Sequence, residues 1–580
     1  YAFQKFARLV LKTPHIDNCA RLCHSASVTG LSMVFGSGAM TNSLDDLEKS
    51  SCIFVIGSNT VEAHPLINRR IIIAQQYGAH LIVADPRKTP LVRRADLHLP
   101  LLPGTDVMLL SAMMQYILVH GLEDSTFIAE RTTGFESVRS VIMEETYSLE
   151  NASRVCGIPA ESIARAAELT ATSASCSLLF AMGITQHAVG VDNVRSCANL
   201  QLLTGNIGNP GGGVNPLRGQ NNVQGACDMG CLPDLYPGYR NSHDPVAQAA
   251  IADLWGMEPP GGADGLTLTG ILGALKRGEH PVRALYIMGE NPLLAEPDST
   301  HMPEALRQLE FLVIQDIFLS GTGAMADVVL PAACFAEDDG SQTSTERRVQ
   351  RLRKAQDPPG EAKPDWLIVT ELAGRLGYAQ QFPYTSAQDV FSEIARIVPQ
   401  YAGMDYSRLE RPEGVQWPCP SPDHPGTPIL HTARFNTPDG KGIFTPVPYI
   451  PPREVPDAEY PFFLDNGRRI WHWHWGSMTH RSSTLERECP SAWLEIHPDD
   501  AAKTGLKPGD IARVSSRRGS VDVPVRISHD IRPGVVFLPI HFPDAPVNIL
   551  TNEALDPICS TPEYKAFAVK LERAVLQETT

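Results

Sequence analysis

The sequence predicts a multidomain α/β protein: two related doubly wound domains of the nucleotide-binding type around a cleft, plus a C-terminal β-barrel cap domain. Three observations predict it. A strand, turn, helix and strand closed by Asp occur twice with nearly equal spacing; short alternating strands crowd the C-terminal part; and 580 residues, at roughly 150 per domain, ask for three or four domains.

The chain begins Tyr1-Ala2-Phe3-Gln4, without Met or signal peptide and with a helical pattern already running (Phe3, Phe6, Leu9, Val10). Residues 1–18 are read as the remnant of an N-terminal region, and residues 19–218 as the first α/β domain. Within that domain Cys52 to Gly57 is an apolar run ending in Gly, the mark of a buried parallel strand meeting a turn. Ile67 to Tyr77 reads as a helix, His80 to Ala84 as a second strand closed by Asp85, and Leu97 to Leu101 as a third. Pro103-Gly104-Thr105-Asp106 follows, where Thr105 or Asp106 can cap the next helix.

Residues 219–335 are the second such domain. Ala284 to Gly289 repeats the first strand, Met302 to Leu309 the helix, and Phe311 to Gln315 the second strand, closed by Asp316. Gly57 to Asp85 spans 28 residues and Gly289 to Asp316 spans 27, while Asp85 to Asp96 and Asp316 to Asp327 both span 11. Ala95-Asp96-Leu97-His98-Leu99-Pro100 also matches Ala326-Asp327-Val328-Val329-Leu330-Pro331. One nucleotide-binding half is present twice. Residues 336–460 form a helical and irregular region; 13 of the 47 prolines lie between Pro412 and Pro461, which suits an extended connector over the surface. Residues 461–580 carry the barrel, with alternating strands at Ile511 to Val514, Val521 to Val525 and Val535 to Leu538.

Composition excludes several classes. A formal charge of -16 and the lack of any Lys/Arg block argue against nucleic acid as a partner. The most apolar stretch, Val107 to Val119, is broken by Ser111 and Gln115 and falls short of the ~20 residues of a spanning helix, so no membrane segment is expected. The twelve cysteines are scattered singly with no CxxC, which reads as reduced thiols in a cytoplasmic protein, the periplasm being the alternative. Cys19/Cys23 and Cys227/Cys231 have one-turn helical spacing, a weak zinc signal.

Four features could carry chemistry. A carboxylate closing a strand beside a Gly turn can bind ribose hydroxyls, with phosphate at the adjacent helix N-terminus; Asp85 and Asp316 both stand so, although GxGxxG is absent and either could be a simple cap. Cys23 precedes the helical pattern Val28 to Val34, where the helix N-terminus and His24 favour thiolate; the plainer alternative is a buried structural Cys. The Asn215 to Asp228 segment sets five amides and Arg218 in a Gly-bounded loop, a polar cradle whose guanidinium could clamp a small carboxylate. In Trp471-His472-Trp473-His474-Trp475 the period of two puts both His on one strand face, able to grip a metal in pairs or, more simply, to face a polar cofactor or solvent.

Asp17-Asn18-Cys19-Ala20-Arg21-Leu22-Cys23-His24, the Asn215 to Gly230 run, the paired units and Pro562-Glu563-Tyr564-Lys565 together closely resemble molybdenum-dependent formate dehydrogenases of the molybdopterin oxidoreductase superfamily, over essentially the whole chain. The resemblance implies reversible two-electron oxidation of formate to carbon dioxide. It implies a molybdenum or tungsten centre with a terminal sulfido ligand, held by two molybdopterin guanine dinucleotides and by a Cys or selenocysteine, the position of Cys23. By the same resemblance His24 takes the proton and Arg218 orients formate. One guanosine end would fall on Gly57, Asn59, Asp85, Arg87, Gly104, Thr105 and Asp106, the other on Gly289, Asn291, Gln315, Asp316, Thr322 and Asp327. Gly183, Gln186, Gln220, Arg468 and His472 resemble pterin contacts, and the barrel a domain that caps the cofactor cleft.

Two departures accompany the resemblance. The family's Cys-rich segment for a [4Fe-4S] cluster and its Lys relay do not occur in these residues, so the cluster is expected in a missing N-terminal segment. Arg469 and His474 also stand where an acidic and a small residue are expected. The implied partner is an electron-transfer subunit linked to NAD, F420, ferredoxin or a hydrogenase. The rivals are a Cys-ligated nitrate reductase of the same superfamily and a metal-free structural subunit of an electron-transfer complex.

Overall fold

All five residues of the Cys52–Ile56 strand are buried, and so are Leu81 to Ala84 of the His80–Ala84 strand. Such two-sided burial is the environment of a parallel sheet covered on both faces. A computed structural model describes residues 1–259 and 264–574 and shows that sheet: five parallel strands ordered Leu97–Leu99, His80–Ala84, Cys52–Ile56, Cys176–Phe180 and Val214–Pro216. Alternate side chains feed opposite cores. Cys52, Phe54 and Ile56 pack with Ile82, Leu109 and Ala166, while Ile53 and Val55 pack with Ile67, Ile71 and Ala74 of the Pro65–Gln76 helix. Each such burial contributes roughly 1.5–3 kcal/mol.

A strand apolar on both faces gains little from one register over another. Here the register is pinned by Asp96, whose carboxylate accepts the Leu81 N–H at 2.8 Å. Asp327 does the same for Leu312 at 2.7 Å. The duplication is therefore structural: Ala284–Met288, Phe311–Asp316 and Val328–Pro331 pair in parallel, in the order and register of the first three strands of the larger sheet. The Gly57 N–H bonds the Ala84 carbonyl and the Gly289 N–H the Gln315 carbonyl, both at 2.9 Å.

The second copy differs from the doubly wound domain expected. Its sheet ends after three strands, and the helix expected over Met302 to Leu309 is the single turn Met302–Leu306. The chain continues instead into an antiparallel sheet of Gly340–Thr343, Arg348–Leu352 and Val415–Gln416.

The barrel is closed by six strands in the order Phe462–Gly467, Val535–Pro539, Leu494–Ile496, Ser520–Ile527, Ile511–Ser515 and Phe567–Arg573. Period-two alternation builds it: Val521, Val523 and Val525 fill the interior, while Asp522 faces Arg513 across the outer surface at 2.7 Å. The proline-rich connector is less superficial than expected, because the apolar residues between its prolines are buried: Leu430, Phe435, Phe444 and Val447 all lie in the interior.

Contacts divide the chain into two compact units. One comprises Tyr1–Arg21, Gln220–Leu293 and His301–Pro428, with the three-stranded parallel sheet; the other comprises Leu22–Gly219, Leu294–Thr300 and Ile429–Thr580, with the five-stranded sheet and the barrel. The Trp471 to Trp475 run is not the strand expected. His474 adopts a left-handed φ of 49°, which breaks the alternation, and its carbonyl is taken by the His541 ring at 2.5 Å.

Candidate active site

In the unit that holds the barrel, the C-terminal ends of the Cys52–Ile56 and His80–Ala84 strands open into a cavity with about 800 Å³ of atom-free space, part of it open to solvent. Gly57 turns away from its strand at φ 59°, and a Cβ there would come within 2.8 Å of the Gly183 backbone. Two glycines thus let the strand end and the Met182–Thr185 turn approach closely. Asp85 accepts the Arg87 N–H at 2.9 Å, and Asp106 opens the Asp106–Val119 helix. The barrel adds Asp465, Arg468, Phe537 and Lys565 to the same walls. The Arg87 guanidinium stacks 3.5 Å over the Phe537 ring and pairs with Glu495 at 3.1 Å. Lys565 donates to the Asn466 carbonyl and, at 2.8 Å, to its side-chain oxygen.

Burial, reinforced by the Asp465 charge, pushes the Asp85 carboxyl up to about 7. Burial, reinforced by Asp85, does the same to Asp106. Two buried carboxylates short of compensation suit a ligand that brings N–H and O–H donors, such as the amidine edge of guanine and a ribose diol. A pH dependence follows. At these two carboxyls the folded protein holds protons that the unfolded chain releases near pH 4, so their contribution to the stability of ligand-free protein falls as pH rises from about 4 to 7. Asp85→Asn should therefore unfold later than the parent at pH 8, by on the order of a few kcal/mol, with the gap shrinking toward pH 4. Thermal unfolding of ligand-free protein across that range checks this.

Cys23 ends the short Ala20–Cys23 helix and is 5% exposed. Its carbonyl accepts the Thr185 hydroxyl at 2.6 Å, and the Gln186 amide donates to the Leu22 carbonyl at 2.7 Å, so the turn that walls the cavity also seats the cysteine. His24 is fully buried as the N-cap of the Ser25–Phe35 helix. Its Nε2 lies 3.1 Å from the Leu217 carbonyl, which can only accept, so Nε2 carries the hydrogen and Nδ1 faces the Ser27 hydroxyl at 2.9 Å. Burial and then the Arg218 charge bring the His24 pKa down to about 3, and Arg468 adds to the effect. Arg218 is itself buried and reaches the Gly38 carbonyl at 3.4 Å. A Cβ on Gly219 would run into the Arg468 guanidinium, so this glycine makes room for a second cation. The result is a neutral His24 imidazole in the positive field of Arg218 and Arg468, next in sequence to the buried Cys23, an environment for a small anion.

The structure thus brings Gly57, Asn59, Asp85, Arg87, Gly104, Asp106, Gly183 and Arg468 to one cavity. Thr105 lies just behind it with its hydroxyl on the Leu102 carbonyl at 2.7 Å. His472, expected beside the pterin, is not among the lining residues: its two nitrogens face the Thr479 hydroxyl and the Cys489 carbonyl at 3.1 and 2.7 Å. His474 parts from it to accept from Arg468 at 2.5 Å, so no paired grip forms. Asp465 and Lys565 escaped sequence reasoning, although Lys565 closes the quoted Pro562 to Lys565 motif.

In the other unit Gly289, Asn291, Gln315, Asp316 and Thr322 gather at the C-terminal end of the three-stranded sheet. Asn291 accepts the Thr322 hydroxyl at 2.6 Å, Gln315 donates to Asp365 at 2.6 Å, and Asp316 accepts the Ile317 N–H at 2.7 Å. Asp327 stands apart. It immediately precedes the Val328–Pro331 strand, at the opposite end of the sheet, and its carboxylate is spent on Leu312, so it positions strands where a cofactor contact was expected. Gln220 begins this unit's second segment and is half-buried.

The molybdopterin oxidoreductase family model matches residues 1–375. The chain belongs to this family. A second model, the molydopterin dinucleotide binding domain, matches residues 462–568 and so covers most of the barrel. Among molybdopterin oxidoreductases, the chain is 49% identical over 573 residues to the F420-dependent formate dehydrogenase subunit alpha of Methanocaldococcus jannaschii, covering 99% of this chain and 84% of that one. It is 37% identical to formate dehydrogenase H of Escherichia coli, covering 99% and 80%, and 38% identical to the assimilatory nitrate reductase catalytic subunit of Bacillus subtilis, covering 98% and 81%. Acetylene hydratase from Pelobacter acetylenicus, a solved structure, shares the fold with a TM-score of 0.77 at 20% identity, over 97% of this chain and 83% of that one. Among the described residues no helix is long and apolar enough to cross a membrane.

Proposed function

We propose that the chain is the catalytic subunit of a formate dehydrogenase, oxidising formate to carbon dioxide with release of one proton and two electrons. The observation that carries this reading is the buried set of Cys23, neutral His24 and Arg218, in a chain 49% identical to a formate dehydrogenase alpha subunit. The cavity residues Asp85 and Asp106 would offer buried acceptors to one guanosine of a bis-molybdopterin guanine dinucleotide, and in the other unit Asn291 and Asp316 lie at the matching strand ends of the second copy. That group, with molybdenum or tungsten bearing a sulfido ligand, would be held by Cys23 and would supply the two-electron acceptor.

The protein's own residues do the rest. Arg218 holds the formate carboxylate through two parallel N–H donors, which fixes the orientation of the substrate. Neutralising Arg218 with the substrate weakens one cause of the low His24 basicity, so His24 Nδ1 becomes a better proton acceptor when formate is bound. Burial of Cys23 and His24 keeps water from the reacting bond. The names of the F420-dependent relatives, alpha subunits, imply further subunits for them, and a partner subunit that takes the two electrons completes the route here.

The nitrate reductase relative at 38% identity favours the one rival worth testing. Metal-replete protein is assayed with oxidised viologen and formate, and with reduced viologen and nitrate. Formate turnover without nitrate turnover is expected; nitrate turnover alone would overturn the assignment.

A further inference from the structure

Among the described residues one group of three metal-ligating side chains comes together outside the cavity: His472, His480 and Glu486, each with a ligand atom within 4.8 Å of the other two. They sit between the Phe462–Gly467 and Leu494–Ile496 strands of the barrel domain, His480 on the Thr479–Arg481 turn and Glu486 on the Ser483–Glu488 helix.

Hydrogen bonds decide which nitrogen each ring can offer. His472 Nε2 is 2.7 Å from the Cys489 carbonyl, and His480 Nε2 is 2.9 Å from the His541 carbonyl. A carbonyl only accepts, so both Nε2 atoms carry hydrogen and both neutral rings leave a lone pair on Nδ1. His480 Nδ1 is 2.6 Å from Glu486 Oε2. A lone pair that close to a carboxylate oxygen needs a cation at the pair, whether a proton on the ring or a metal. His472 Nδ1 meets only the Thr479 hydroxyl at 3.1 Å among the hydrogen bonds of its ring besides Cys489, and the two imidazole centroids are 4.1 Å apart. Phe542 packs edge-on or tilted against both rings at 5.5 Å and keeps that side dry. Backbone carbonyls that anchor Nε2–H while Nδ1 faces the ion are the usual outer support of metal-binding histidines.

We propose that His472, His480 and Glu486 form a site for one divalent first-row cation of the zinc class, separate from the pterin centre. Two imidazoles and a carboxylate match such ions and leave room for water as a further ligand. The Glu486 side chain is 40% exposed and that of His480 21%, so the ion enters from solvent. Once bound, it ties the Ser483–Glu488 helix to the irregular stretch that carries His472.

The test uses the whole chain with its pterin centre in place, stripped of loosely held metal by a chelator and titrated with Co2+, followed by visible absorption and by displacement with Zn2+. One equivalent per chain is expected, with molybdenum or tungsten content unchanged. His480→Ala and Glu486→Gln should each weaken Co2+ binding by roughly tenfold or more, whereas Glu488→Gln, a neighbouring carboxylate outside the group, should bind as the parent does. Glu486→Gln replaces a partly exposed side chain, and its unfolding temperature without metal should match the parent. No stoichiometric Co2+ binding, or binding indifferent to His480→Ala and Glu486→Gln, would overturn the site. The readout is independent of formate turnover, so it can fail while the catalytic assignment stands, and the reverse.

Discussion

Cys23→Ala should lower formate-dependent viologen reduction by at least about 10³-fold, the scale on which loss of a group that touches the reacting centre operates. The sulfur sits on a fully packed support: its carbonyl is held by Thr185, and His24 behind it is 0% exposed. Removing one buried sulfur atom leaves that support intact, so the unfolding temperature should change little while activity collapses. Guanosine monophosphate content separates the two ways this could happen. A variant that keeps its nucleotides but not its turnover places the defect at the metal; one that keeps full turnover removes Cys23 from the site.

Arg218→Ala should raise the formate KM and lower kcat together. Truncating one partner of a buried, hydrogen-bonded charge pair costs about 2–5 kcal/mol, which is roughly thirtyfold to several thousandfold in kcat/KM. Arg218→Lys should recover only part of this, because a point charge lacks the planar two-donor fork. Arg218→Ala should also shift the pH profile. Arg218 is the largest cause after burial of the low His24 basicity, so without the guanidinium His24 should titrate at higher pH. Kinetics unchanged from the parent would take Arg218 out of the mechanism.

Much of this architecture is legible in the residues themselves. The strands around Cys52, His80, Ala284 and Phe311 announce themselves because parallel strands are written as continuous apolar runs, and Gly57 and Gly289 mark where the first strand of each copy must turn. The barrel is legible through its alternation at Val521, Val523 and Val525. Other features depend on contacts between residues far apart in sequence. Ala284–Met288 is as apolar as Cys52–Ile56, yet is half-buried to exposed in a sheet that stops at three strands. Asp316 and Asp327 look alike by spacing, but one ends a strand and the other immediately precedes one, so only the first lies at the binding end of the sheet. The Trp471 to Trp475 alternation imitates a strand; His474 leaves that path because Arg468 and His541 hold its ring and carbonyl. Asp465 and Lys565 reach the cavity through barrel closure, for which no local pattern exists.

The duplicated half is the centre of the account, and its most direct test is stoichiometry. Metal-replete protein, hydrolysed in acid, should release two guanosine monophosphates for each molybdenum or tungsten atom. One nucleotide per metal, or neither metal nor nucleotide, would contradict it.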